Sequence, residues 1–177
     1  MYSIGDLVVY GGEGVCRVED IGLPSSSVID RNKKYYTLSP IYRDGRIFTP
    51  VDTKVFMRPV LSKEQAEKII DSIPEIDAMP MAERDPKQTE RNYKQFISSH
   101  KCSSMIAVIK AVHQKRGDGG GPARKTSQTD ERYMKMAEEL LYGEFAISLD
   151  IPRSSVKTYV EDRVTKLISG KNKASAD

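Results

Sequence analysis

The chain has 177 residues, of which 38% are hydrophobic and 30% are charged, and its formal net charge at pH 7 is +3. It has no apolar run of about eighteen residues, so no transmembrane helix is expected. Its 2 cysteines are too few for a disulfide framework and are typical of small buried hydrophobes in a reducing compartment. No charged and apolar leader precedes the first predicted strand, so we expect a cytoplasmic protein built from two small domains.

Short segments rich in β-branched and aromatic residues predict strands in the first part of the chain. The predicted strands are 7–10, 14–21, 34–38 and 47–49. Asp44 and Gly45 between the last two are typical of a hairpin turn. Strands this short bury a core only by curling on themselves, which predicts a Tudor-like or SH3-like small β-barrel over residues 1–60.

From residue 61 the hydrophobic period changes from two to about 3.6, which indicates helices. Ser62 and Gln65 form a capping-box pattern before a helix predicted over 63–73. The segment 74–80 begins and ends with proline and is expected to be an interrupted connection. Asp85 followed by Pro86 then predicts the start of a second helix.

A third helix is predicted to begin at Ser103 or Ser104 and to end before Gly117. The glycine-rich segment 117–122 that follows is expected to be a flexible loop. It lacks the Lys-Ser/Thr ending of a nucleotide-binding loop, so nucleotide binding is not expected there.

The last two predicted helices complete an α+β chain with an all-α helical domain of about five helices over 61–170. Ser127 precedes the first of them, and the second runs from about Pro152 or Arg153 to Ile168. The apolar stripe expected on the first comprises Tyr133, Met136, Ala137, Leu140, Leu141 and Phe145. Residues 171–177 are expected to be a frayed tail.

Charge is unevenly distributed in the helical half. Residues 84–125 hold 10 Lys or Arg against 3 Asp or Glu, a net +7, whereas residues 61–83 hold 2 against 6, a net −4. A local positive block of this kind is typical either of a solvated helix face or of phosphate contacts with nucleic acid.

Three segments of the first domain match a known family pattern. They are Ile-Gly-Asp-Leu-Val-Val-Tyr-Gly-Gly-Glu-Gly-Val at 4–15, Tyr-Tyr-Thr-Leu at 35–38 and Gly-Arg-Ile-Phe-Thr-Pro-Val at 45–51. These segments resemble the CarD/CdnL family of bacterial transcription regulators and the polymerase-interacting domain of the transcription-repair coupling factor. The resemblance continues more thinly at 91–94 and 130–146. It implies a barrel that binds the β subunit of RNA polymerase, and a helical domain that contacts promoter DNA and modulates open-complex stability.

The expected polymerase-binding residues lie around the fourth predicted strand and are Thr37, Arg46, Phe48 and Pro50. Phe48 matches a family position that presents its side chain to the partner. Because alternate strand residues face opposite sides, only one of Ile47 and Phe48 can point into the barrel. Phe48 is therefore either a docking residue or part of the barrel core.

The expected DNA-binding residues are the basic side chains Lys87, Arg91, Lys94, Arg124, Lys125 and Arg132. The family typically also carries a tryptophan that wedges into the minor groove, but this chain has none, and Thr89 lies near the corresponding position. A threonine cannot offset the cost of unstacking a base step. If the positions are equivalent, Thr89→Trp should strengthen promoter stabilisation.

Enzymatic function is not expected. His100, Cys102 and His113 suggest a metal site only superficially, because no fourth ligand is apparent and a predicted helix break separates the first two. No catalytic or dinucleotide-binding motif occurs. The sequence thus predicts no cofactor, no metal, no small-molecule substrate and no membrane partner.

Two alternatives remain open at this stage. Residues 144–160 also read as a helix-turn-helix whose second helix would carry Arg153, Ser154, Lys157 and Thr158 into a major groove. The other alternative is an adaptor that docks on polymerase without DNA contact. A sequence-specific operator would support the first alternative, and indifference to DNA would support the second.

Overall fold

The computed structural model describes residues 1–23, 33–82, 84–118 and 120–174, with backbone alone for 171–174. The chain divides into two compact units, Met1–Val60 and Leu61–Asp177. The first contains an antiparallel sheet and the second contains helices, so the predicted α+β organisation is confirmed. No helix in this described part of the chain combines the length and the apolarity needed to cross a membrane.

The first unit is a five-stranded antiparallel sheet with the strand order β4-β3-β2-β1-β5. Its strands are β1 (Leu7–Tyr10), β2 (Gly14–Gly22), β3 (Tyr35–Pro40), β4 (Ile47–Pro50) and β5 (Met57–Pro59). The connection between β3 and β4 contains Gly45 at φ +117°, a conformation that glycine adopts at little cost. β5 was not predicted, because three residues ending in proline carry almost no strand pattern.

The unit predicted to be a small Tudor-like or SH3-like barrel is an antiparallel sheet whose two edges do not close on each other in the described residues. Within the described residues, β4 and β5 lie at opposite edges and do not pair with each other. β5 is only 3 residues long and ends at Pro59, which has no N–H to donate to a further strand. One face of the sheet nevertheless holds a compact core, formed by Val8, Tyr10, Cys16, Val18, Tyr36 and Leu38.

The second unit contains five helices in its described part. They are α1 (Lys63–Asp71), α2 (Pro86–Ser98), α3 (Cys102–Arg116), α4 (Gln128–Leu149) and α5 (Arg153–Ala174). The predicted start signals are confirmed: Ser62 and Gln65 form a capping box, and the Asp85 side chain accepts a hydrogen bond from the Gln88 N–H. All five helices contribute to one core, whose fully buried members include Ala66, Tyr93, Val108, Phe145 and Val156.

Four helix predictions differ from the structure. α1 ends at Asp71 rather than at residue 73, and Ile73–Glu75 forms a separate 3-10 turn. α3 begins at Cys102 rather than at Ser103 or Ser104, because Lys101 precedes it without a side-chain cap that could mark the start. Met136 is 40% exposed because it lies off the buried stripe, where Met134 takes its place. α5 continues through Gly170 to Ala174, since one helical glycine costs only about 1 kcal/mol. Residues 175–177 of the predicted tail lie outside the described residues.

Candidate functional site

Strand β4 exposes one large apolar side chain at the edge of the sheet. Ile47 packs against the core of the first unit, whereas Phe48, next along the strand, is 41% exposed. Thr49 points inward again and is 2% exposed, and its hydroxyl accepts a hydrogen bond from the Tyr10 hydroxyl at 3.0 Å. Because alternate residues of a strand face opposite sides, the inward positions of Ile47 and Thr49 place Phe48 on the outer face.

The structure brings the other predicted polymerase residues close to Phe48. Thr37 on β3 lies directly opposite Phe48 in the strand register, so both side chains share the outer face. Pro50 is half-buried on the same face of β4, two residues further on. Arg46 precedes the strand and donates a hydrogen bond from Nε to the Glu19 carboxylate at 2.9 Å. We call Thr37, Phe48 and Pro50 the β4 face.

In the second unit, a groove of about 830 Å³ opens between the start of α2, the end of α3 and the start of α4. Its walls include three of the six predicted DNA-binding residues, Lys87, Arg124 and Lys125. Lys115 on α3 also lines it and was not predicted as a site residue. We call this cavity the basic groove.

The other three predicted DNA-binding residues lie on exposed surfaces of α2 and α4. The Glu90 carboxylate, which lines the basic groove, forms ion pairs at 3.2 Å with both Lys94 and Arg132. These contacts lower the pKa of the Glu90 carboxyl, and the hydrogen bond from Lys94 has the largest effect. The Arg132 guanidinium also lies 4.8 Å from the centre of the Tyr133 ring. Arg91 lies apart and donates to the Gln88 side chain at 2.8 Å.

A buried carboxylate supports one wall of the basic groove. Asp130 is 2% exposed and accepts hydrogen bonds from the Tyr93 hydroxyl at 2.9 Å, the Lys115 ammonium at 2.6 Å and the Ser127 N–H at 2.7 Å. Burial alone would raise the pKa of Asp130, but these donors outweigh it and lower that pKa. For Tyr93, burial and the hydrogen bond to Asp130 raise the hydroxyl pKa. By accepting these hydrogen bonds, the Asp130 carboxylate holds α2, α3 and the residue that precedes α4 together.

Tyr93 belongs to the core and is not available as a substitute for the missing tryptophan. Its side chain is fully buried and its ring stacks on Tyr133, with centroids 4.9 Å apart. Thr89 exchanges two hydrogen bonds with the backbone of Ala82, accepting from its N–H at 3.0 Å and donating to its carbonyl at 3.2 Å. Substitution of Thr89 by Trp would remove both bonds, so that variant changes the groove wall as well as adding a ring.

The histidine and cysteine residues do not assemble into a metal site. Among the described residues, no three His, Cys, Asp or Glu side chains group closely enough to hold a metal ion. His113 instead lies 2.7 Å from the Asp118 carboxylate at the end of α3. Cys102 is buried and its thiol lies 3.5 Å from the buried Glu144 carboxylate.

Sequence reasoning missed the basic groove, because its walls come from segments far apart in the chain. Residues 78–82, the end of α3 and residues 122–130 meet only in the folded unit. The available signal was the capping-box pattern at Ser127, which places Asp130 at the start of α4 and its carboxylate beside the preceding segment.

Comparison with known families identifies the first unit. Residues 2–61 match the family model described as the CarD-like/TRCF RID domain. The first unit is therefore a CarD-like RNA polymerase-interacting domain, and the protein has a transcription-related function. A search of curated proteins found no match for the chain.

Proposed function

We propose that this protein is a transcription regulator that docks on the β subunit of RNA polymerase through the β4 face and contacts promoter DNA through its helical unit. The observation that carries the proposal is an exposed phenylalanine on an edge strand of a polymerase-interacting domain. An edge strand offers unpaired backbone groups to a partner strand, and an apolar side chain beside them adds contact area.

The docking contact is tested by reversing the polarity of the β4 face. Phe48→Glu should weaken binding of the full chain to the polymerase β subunit at least about tenfold, which corresponds to a loss of about 1.4 kcal/mol. Ile4→Glu is the matched control, because Ile4 is 63% exposed in the same unit and lies outside β4. Calorimetric titration measures both. Unchanged binding by a folded Phe48→Glu variant would contradict the proposal.

DNA contact is supported by the exposure and charge of the helical unit. Lys87, Arg91, Lys94, Arg124, Lys125 and Arg132 are all exposed. Cations that neutralise phosphates release counterions, so binding falls steeply as salt rises. The contacts proposed here act on the DNA backbone and would hold promoter DNA next to a docked polymerase.

A pair of charge reversals tests this DNA contact. Lys125→Glu should weaken duplex binding and reduce the slope of log affinity against log salt by about one or more. Lys157→Glu makes the same charge change on the exposed surface of α5, outside the basic groove. Under the proposal it leaves binding nearly unchanged. Equal losses in the two variants would mean that binding depends on net charge and not on the groove.

The same two charge reversals distinguish the helix-turn-helix alternative from DNA contact through the basic groove. Ser154, Lys157 and Thr158 are exposed on α5, as a recognition helix requires. If α5 reads the major groove, Lys157→Glu is the damaging variant and the loss is confined to one operator sequence. An adaptor without DNA contact predicts that neither variant changes the lifetime of polymerase–promoter complexes.

A further inference from the structure

A tyrosine hydroxyl ties the β4 edge of the first unit to a strand that is not its neighbour in the sheet. The Tyr10 hydroxyl on β1 donates to the Thr49 hydroxyl on β4 at 3.0 Å, although β2 and β3 lie between these two strands. Neighbouring strands lie about 4.8 Å apart, so β1 and β4 would be separated by about 14 Å in a flat sheet. The sheet therefore curls over its core, and Tyr10 holds its β4 edge from within.

The apolar pattern of β4 does not by itself decide which side of the strand faces the core. Ile47 and Thr49 face inward in the structure, and Phe48 faces outward. A slip by one residue would reverse every side chain of the strand and bury Phe48 in place of a threonine. Hydrophobic burial alone therefore does not favour the observed orientation. β4 has only 4 residues and pairs with β3 alone in the described part of the unit, so the ladder fixes it weakly.

The hydrogen bond from Tyr10 supplies the missing preference. Both residues are buried, so their hydroxyl groups are largely shielded from water and depend on each other. If the Tyr10 hydroxyl were absent, the Thr49 hydroxyl would lose its partner, and a buried polar group without a partner destabilises the conformation that buries it. That penalty would favour the reverse orientation, which turns Thr49 to solvent and Phe48 into the core.

We propose that Tyr10 is a positioning residue for polymerase docking, because its hydroxyl holds Thr49 in the core and thereby keeps Phe48 on the outer face. The inference rests on the docking contact proposed above and explains how the edge strand is oriented before a partner binds. Tyr10 belongs to the core and acts only through β4. Docking then weakens in proportion to the fraction of molecules whose β4 strand is correctly oriented.

Tyr10→Phe tests the proposal, and Tyr36→Phe is its matched control. Each substitution removes one hydroxyl from a core tyrosine of the first unit, but the Tyr36 hydroxyl accepts from the Tyr2 N–H at 3.0 Å and not from β4. Calorimetric titration of the full chain with the polymerase β subunit should show about tenfold weaker binding for Tyr10→Phe and unchanged binding for Tyr36→Phe. Unchanged binding by Tyr10→Phe, or equal losses in the two variants, would overturn the proposal.

A second substitution should reverse the effect of the first. In the double variant Tyr10→Phe/Thr49→Val the stranded hydroxyl no longer exists, and an apolar side chain at position 49 favours the core. Phe48 should then stay on the outer face, and docking should return to the wild-type affinity. A double variant that binds as weakly as Tyr10→Phe would also overturn the proposal, because the loss would not come from the stranded hydroxyl.

Amide hydrogen exchange separates this proposal from the docking proposal, because it needs no polymerase. In Tyr10→Phe the amide protons of β4 should exchange at least about tenfold faster than in the wild type, whereas those that pair β1 with β2 should be unchanged. Tyr36→Phe should not accelerate exchange in β4. If Phe48→Glu binds the β subunit as the wild type does, docking through the β4 face fails, and the exchange rates still decide whether Tyr10 orients β4. Equal β4 exchange in Tyr10→Phe and the wild type would overturn that role.

Discussion

The Tyr93–Asp130 pair provides a quantitative test of how the helical unit is held together. The Tyr93 hydroxyl is fully buried and donates to Asp130 at 2.9 Å. Asp130→Ala removes that acceptor and leaves the hydroxyl without a partner, at a cost of about 1–3 kcal/mol. It also removes the contact with Lys115, whose side chain is 27% exposed and recovers part of its solvation. We expect a total loss of about 3 kcal/mol.

Tyr93→Phe removes the hydroxyl and leaves Asp130 with its other donors, so it should cost only about 1 kcal/mol. In the double variant the stranded hydroxyl no longer exists. The double variant should therefore be less destabilised than the sum of the single variants by about 1–2 kcal/mol. Phe at position 93 keeps the ring that stacks on Tyr133, so the packing contribution is matched across the cycle.

Urea unfolding followed by circular dichroism at pH 7 measures the cycle, with the helical signal reporting on the second unit. Glu131→Gln is the surface control, because Glu131 is exposed beside Asp130, and it should change stability by no more than about 0.5 kcal/mol. Additive losses in the cycle, or a loss below about 1 kcal/mol for Asp130→Ala, would refute the assignment of Asp130 as the shared acceptor.

Three further measurements follow from charged and titratable groups. Because the folded pKa of Asp130 lies below its ordinary value of 3.8, its stabilisation is present above that pH and is lost as the pH falls through the folded value. Wild-type stability should thus fall more than that of Asp130→Ala between about pH 5 and pH 3 in acid titrations. Arg163 contacts both oxygens of Asp71 at 2.6 and 2.9 Å, so Arg163→Lys should cost about 1 kcal/mol in urea unfolding, and no loss would contradict the pairing of α5 with α1. Burial, with a smaller contribution from Glu13, raises the pKa of the Cys16 thiol to about 11, so iodoacetamide at pH 8 should label Cys16 only in unfolded protein.

The sequence predicted features that depend on neighbours in the chain. The helix start at Ser62 follows from a capping box whose partners are three residues apart, and strand alternation left only two orientations for Phe48. Choosing between those orientations required the sheet, because Thr49 is held inward by the Tyr10 hydroxyl from β1. The physical information that decides the orientation of Phe48 is therefore a tertiary hydrogen bond.

The basic groove could not be predicted for a related reason. Charge counting identified Lys87, Arg124 and Lys125 but gave them no common location, and it treated Lys115 as one more member of the positive block. In the folded unit Lys115 neutralises Asp130, whereas the other three line the open cavity. Charge counting therefore could not show that Lys115 holds a buried carboxylate in addition to lining the cavity.

The two-unit organisation bears on how strong the DNA contact needs to be. The polymerase-interacting unit ends at Val60 and the helical unit begins at Leu61, so docking of the first carries the second to the polymerase. A site tethered in this way meets nearby DNA at an effective concentration on the order of millimolar. Under the proposed function, a helical unit with millimolar affinity for DNA would then be substantially bound to DNA beside a docked polymerase and almost free of DNA elsewhere. This arrangement therefore predicts weak DNA binding by the free protein together with a long-lived polymerase–promoter complex. Phe48→Glu should abolish the long lifetime of that complex and leave DNA binding by the free protein unchanged.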